Sequence, residues 1–208
     1  MNGKLVPAAL LASALLGSSA NGETWTIDGL QSSFTVHVFK SGLFSAFGDN
    51  HVVKATVASG SVSDGDKPAV EVAVDARQMT VLDPELAPAK RADVQKRMLG
   101  PEVLDVVKFP EIRFRSTAVE ATGEGRWRVE GLLELHGKKV PLSFEVTGSK
   151  ERFHGSATVS QRAFGIEPIS VAGGTVKVRD DVKVDFEIAT SSPAKPVSGG
   201  ESAPTPER

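Results

Sequence analysis

Four histidines and no cysteine limit the chemistry open to this 208-residue chain. Without thiols there are no disulfides, no thiolate nucleophile and no Cys-held zinc or iron–sulfur cluster. His37, His51, His136 and His154 are scattered, with no H-E-x-x-H or other ligand spacing, so each reads as a surface or hydrogen-bonded side chain. No G-x-S-x-G elbow and no P-loop occurs. Asp180-Asp181 is a carboxylate pair, but it sits between two alternating runs and reads as a turn rather than an acid/base dyad. Lys138-Lys139 reads as a solvated hairpin tip, with attraction of a phosphate as its alternative. Lys90, Arg91, Lys96 and Arg97 form a basic face on a short helix. The plain reading is an amphipathic helix packed on the body of the protein; transient contact with an anionic head group or a membrane surface is the alternative. No metal site, cofactor or catalytic constellation is expected.

The elements behind these residues are mostly strands. Ser33 to Val38, Val70 to Asp75, Ile112 to Arg115 and Leu133 to His136 alternate apolar and polar residues, as do Val140 to Val146 and Thr175 to Ile188. Alternation of this kind buries one face and wets the other, the mark of antiparallel strands. The runs fall near 24–28, 31–40, 51–62, 69–77, 110–120, 125–136, 139–148 and 152–160, with a further long segment near 174–189. Glycine-containing links such as Gly123-Glu124-Gly125 and His136-Gly137 read as hairpin turns. A meander of long strands closes into a barrel to remove its edges. One insertion, near 85–107, breaks the period. Pro88 suits the start of a helix and Gly100 its end, and Pro101 to Val107 suggests a second short helix with Leu104 and Val107 on one face.

Both termini differ from this pattern. Lys4, an apolar run from Leu5 to Leu16 and then Ser18-Ser19-Ala20 compose a cleavable export signal over 1–20. The run is too short to cross a bilayer. The mature chain is expected to begin near Asn21, in the periplasm or outside the cell. Residues 191–208 hold four Pro, four Ser and two Gly and read as a disordered tail. One domain, 23–190, remains. The balance of 24 Lys+Arg against 26 Asp+Glu gives no pull toward nucleic acid.

Several phrases, in order, resemble one family. They are Trp25-Thr26-Ile27-Asp28 with Ser32 to Val36; Gly42-Leu43-Phe44 to Phe47-Gly48 and His51; Arg97-Met98-Leu99 with Val103-Leu104-Asp105; Phe109 to Phe114; Gly131 to Gly137 with Pro141-Leu142; and Arg162 to Ile166. Together they are similar to the YceI-like family of polyisoprenoid-binding periplasmic proteins. The resemblance implies a mainly β fold, an extended eight-stranded antiparallel lipocalin-like β-barrel, here with a short helical insertion near 85–107. It also implies a long apolar cavity for an isoprenoid or fatty-acyl chain and no catalytic machinery. A subgroup carries two histidines around the Gly48–His51 motif; here only His51 stands, which weakens any metal or haem role.

On that expectation the candidate lining of the cavity is Phe34, Val36, Phe44, Phe47, Met98, Leu99, Leu104, Phe109, Phe114, Phe144 and Phe164. The chain has ten Phe and no Tyr, in keeping with a dry interior. The stretch 98–114 is expected to form a wall or the mouth. The function expected is carriage or sequestration of a long-chain isoprenoid or acyl lipid. Its rivals are a structural or interaction barrel filled by its own side chains, and an enzyme acting on such a lipid. Oligomeric state is open, a homodimer included.

Overall fold

Alternating sequence becomes alternating burial along the strands, and the strands close on themselves. The computed structural model describes residues 22–41, 50–171 and 176–191. The expected signal segment, the loop that holds Phe44 and Phe47, and the tail beyond Ser191 lie outside the described residues. In chain order the long strands are β1 (Thr24–Ile27), β2 (Ser33–Val38), β4 (His51–Ser63), β5 (Ala69–Asp75), β7 (Glu111–Gly123), β8 (Arg126–Leu135), β9 (Lys138–Ser149), β10 (Arg152–Ser160) and β13 (Asp181–Ser191). Short strands β3 (Lys40–Ser41), β6 (Thr80–Val81), β11 (Ser170–Val171) and β12 (Val176–Val178) and one helix, α1 (Pro88–Leu99), decorate them.

The barrel runs β2-β4-β5-β7-β8-β9-β10-β13 and returns to β2, every pairing antiparallel. That is eight staves, although the sequence suggested nine runs. The difference lies at the start. β1 pairs with β13 at Ser191 and with β4 at Ser61, while β2 pairs with the same two strands further along. The two runs are halves of one stave, parted by a bulge at 28–32. Asp28 Oδ1 accepts from the N–H of Leu30, closing the bulge. The buried Ser32 hydroxyl accepts from the Ala189 N–H at 2.9 Å and donates to the Ala189 carbonyl at 3.3 Å. The Ser32 hydroxyl thus takes up the Ala189 N–H where the ladder breaks, while the Ala189 carbonyl also accepts from the Asp28 N–H at 2.8 Å.

Hairpins follow the residues that permit them. β8 and β9 join through His136 and Gly137, with φ of 51° and 73°. Two successive left-handed residues make the two-residue hairpin turn whose twist matches the strands. The outward phase of β13 is Asp181, Lys183, Asp185 and Glu187; the inward phase is Val182, Val184, Phe186 and Ile188.

The insertion covers one end of the barrel. Helix α1 starts at Pro88, as expected. Residues 101–107 are a chain of turns and not the expected second helix. Their N–H groups fold back on the end of α1: Leu104 to Met98 O, Asp105 to Gly100 O and Val106 to Leu99 O. Those long reaches replace the i−4 bonds of a helix. Leu104 is buried, whereas Val107 is 90 % exposed, so the two do not share a face. Gln95 fastens the helix to the barrel: its Oε1 accepts from the Val81 N–H and its Nε2 donates to the Met79 carbonyl, both at 2.7 Å. Gln95→Ala leaves the Val81 N–H of β6 and the Met79 carbonyl just before it without these partners. We expect it to cost about 1–3 kcal/mol, with hydrogen exchange at Val81 rising before the rest of the barrel loosens.

Candidate functional site

The inward side chains do not fill the barrel. They enclose a cavity of about 1250 Å³, beyond the usual ligand-site range of about 300–1,000 Å³. Its walls include strands of 13 residues, each about 40 Å long. Its middle is aromatic. Phe34, Phe186, Phe144 and Phe114 form a row with successive ring centroids 6.1, 5.4 and 5.2 Å apart, all tilted or edge-on.

Two glycines make room for this row. A Cβ on Gly155 would lie 2.6 Å from Phe186 Cζ, and one on Gly131 would lie 2.5 Å from Phe114 Cζ. Both glycines sit mid-strand, where glycine costs stability. The rings lie over bare backbone and leave the bore open.

The two ends differ. At one end the Lys150 ammonium stands 4.5 Å from the centre of the Trp25 ring and pairs with Asp64 at 2.9 Å and Glu23 at 3.7 Å. The hydrogen bond to Asp64 raises the Lys150 pKa above its usual value. The same bond, with help from the Glu23 N–H, lowers that of Asp64. This latch is intact between the ordinary carboxylate and ordinary lysine ranges; it is lost as pH falls through the lowered Asp64 value or rises through the raised Lys150 value. At the other end α1 and the turns after it form the rim. There His51 lines the cavity while its Nδ1 meets Asp83 Oδ2 at 2.6 Å. Asp83 is buried, and its other oxygen accepts from the Val52 N–H at 2.8 Å. Among the described residues no group of three metal-ligating side chains comes together.

Sequence comparison places this architecture. A family model described as a YceI-like domain matches residues 25–190. The chain belongs to the YceI-like family. A UPF0312 protein of Pseudomonas putida is 32% identical over 107 residues, 47% of this chain and 55% of that protein. One from Pseudomonas syringae pv. syringae is 33% identical over 106 residues, 46% of this chain and 53% of that protein. The chain spans about half the length of the curated relatives it matches. Burkholderia cenocepacia BcnA shares the fold with a TM-score of 0.56 at 16% identity, covering 79% of this chain and 99% of that one. A polyisoprenoid binding domain from Saccharophagus degradans, implicated in plant cell wall breakdown, does so with a TM-score of 0.53 at 14% identity, covering 81% and 98%. The YceI-like barrel expected from the sequence is therefore the fold of this chain.

Within the YceI-like barrel, six of the eleven candidate residues line the cavity: Phe34, Val36, Met98, Leu104, Phe114 and Phe144. Phe44 and Phe47 lie outside the described residues. The other three do not line it, which corrects the expectation. Leu99 follows Met98 by one helical step, so it turns aside and packs on the core under the helix. Phe109 seats on the hairpin turn, 4.6 Å from the His136 ring and over Gly137. Phe164 is buried in the helix-end core, at the 3-10 turn Arg162–Phe164. Sequence reasoning missed Phe186, Phe153, Trp25 and Trp127, all of which line the cavity. Strand phase points to Phe186, which alternates with Val182, Val184 and Ile188. Asp180 is the corner residue the sequence suggested. Its carboxylate accepts from the Arg162 N–H and the Ser160 hydroxyl, and those bonds hold its pKa below the usual carboxylate range.

Proposed function

We propose that the protein is exported and binds a long-chain isoprenoid or acyl lipid in the barrel, to carry it or to keep it out of water. The observation that supports this most is the open apolar bore of about 1250 Å³. A barrel filled by its own side chains has few voids larger than a water molecule. An interaction module built on such a core has no need of this volume. Each methylene buried contributes about 0.8 kcal/mol, so a chain that threads the bore gains affinity with length until the bore is full. The fold-mate from Saccharophagus degradans is described as polyisoprenoid binding, which supports the same class of ligand here. The proposed role is binding, not turnover. A brief membrane contact at the helix end would suit loading and delivery.

The test is displacement of an apolar fluorophore from delipidated protein by isoprenoid alcohols of increasing length. Affinity that climbs with length and then levels is the expected result; no displacement by any of them contradicts the proposal.

Phe114 and Leu104 separate lining from core. Pure core residues would cost roughly 2–5 kcal/mol on truncation. Phe114→Ala and Leu104→Ala only widen a space that already exists. The delipidated variants are expected to lose less than that, while lipid retention falls or chain-length preference shifts. Full core-sized destabilisation with unchanged binding would remove both from the site.

Export rests on the leader-like residues 1–20. N-terminal sequencing of the exported protein should read from near Asn21. A start at Met1 would contradict it.

A further inference from the structure

We propose that the lipid enters and leaves the barrel sideways, through a seam in the wall between β9 and β10. This rests on the lipid-binding reading and adds the route by which the ligand reaches the bore.

At the seam the ladder of the barrel stops. Strand β10 pairs with β13 along its whole length, Arg152 to Ser160, but with β9 only from Arg152 to Ser156. The last rung joins Ser156 to Glu145. Beyond it, among the described residues, 138–144 of β9 have no ladder partner on β10 and 157–160 of β10 have none on β9. Pro141 stands within the unpaired stretch of β9. Proline cannot donate to a ladder and belongs at strand edges, so the residue itself disfavours zipping here. Above the gap the 3-10 turn Arg162–Phe164 closes the wall: Phe164 is buried and its carbonyl meets His136 Nδ1 at 3.3 Å. What remains is a window between 142–144 and 157–159, about 10 Å along the strands.

The window joins two spaces. Phe144 and Ala157 line the bore, and both also line a recess on the outer face among Ser143, Ser156, Thr158 and Lys183. Gly155 pairs with Val146, so in a continued register Ala157 would stand opposite Phe144. A methyl group there leaves a slot that a larger side chain would fill. Along a paired stretch, opening the wall means breaking backbone hydrogen bonds and leaving their groups unpaired. At the window those bonds are not made, so the strands part by moving side chains alone. Leu142, Phe144 and Val159 also line the bore and offer the passing chain apolar surface. Pro141 interrupts the β9 edge, which makes the gap a poor seat for an added strand from a partner. A lipid that enters here need not thread the bore from end to end, and the latch of Lys150 with Asp64 and Glu23 at the far end stays shut throughout.

The chain has no cysteine, so introduced thiols stand alone. Ser143→Cys with Thr158→Cys places one thiol on each bank of the window, both at exposed positions that line the outer recess. A short bifunctional methanethiosulfonate bridges them, mass spectrometry confirms the bridge, and a reductant removes it. Delipidated protein is mixed with anthroyloxy-stearate, a fluorescent long-chain acid, and release is chased with excess farnesol. Bridging should slow uptake and release together by about tenfold or more, a barrier rise of about 1.4 kcal/mol. The dissociation constant should stay nearly unchanged, and reductant should restore both rates. Glu120→Cys with Arg128→Cys, at positions already paired in the β7–β8 ladder, takes the same bridge and should keep the parent rates. If the Ser143/Thr158 variant does not fold, Ser143→Cys with Ser156→Cys crosses the seam one step lower, with the same results expected. Rates that ignore the bridge, in a protein that binds the probe, overturn the inference while the lipid-binding reading stands. No binding of the probe by the unbridged parent overturns both.

Discussion

Gly155→Val is expected to destabilise the protein by about 3 kcal/mol and to lower its melting midpoint by roughly 10 °C. The new Cβ would fall 2.5 Å from the Glu145 carbonyl oxygen and 2.6 Å from Phe186 Cζ. Ring and backbone are both fixed: Phe186 pairs in register with Gly155 across β10 and β13, and Gly155 with Val146 across β10 and β9. Phe186→Leu removes the far end of the ring but not the backbone oxygen. The double variant should therefore recover only part of the loss. A Gly155→Val protein that melts like the parent would mean that Phe186 does not lie over Gly155, and the open bore would lose its explanation.

The second large effect falls on binding instead of folding. Ala157 lines the cavity two residues along β10 from Gly155. In Ala157→Phe a ring projects into open space. It displaces about four methylenes of a bound chain, at about 0.8 kcal/mol each, or about a hundredfold in affinity for the longest lipids. Delipidated Ala157→Phe should melt no lower than the parent, because the ring gains burial that alanine lacks. Short chains that end before the obstruction should keep their affinity. Unchanged binding of the longest chain would show that the lipid does not run past Ala157.

Much of the barrel was legible because its signal is local. Each long strand carries its own alternation, and each hairpin its own turn residues, His136-Gly137 among them. What failed to show was whatever depends on distant partners. The runs at 24–28 and 31–40 look like two strands because alternation resumes after the break. Only their shared pairing to β4 and β13 reveals one stave. Leu104 and Val107 have helical spacing, yet the turn that holds them is set by bonds back to Met98, Leu99 and Gly100.

The site divided along the same line. Phe34, Val36, Phe114 and Phe144 belong to alternating runs and face the bore. Phe109 and Phe164 sit at corners, where no period tells inside from outside. Glycine in a sequence suggests a turn, so Gly131 and Gly155 gave no hint that they hold a cavity open. His51 and Asp83 are 32 residues apart and meet only through the β4–β6 pairing.

Whether a lipid occupies this bore is the central question. Native mass spectrometry of protein purified without solvent extraction tests it most directly. The account predicts an excess over the polypeptide mass equal to one long-chain lipid, released by organic extraction and restored when the same lipid is added back. A bare polypeptide mass, together with no uptake of any long-chain lipid by the delipidated protein, would contradict it.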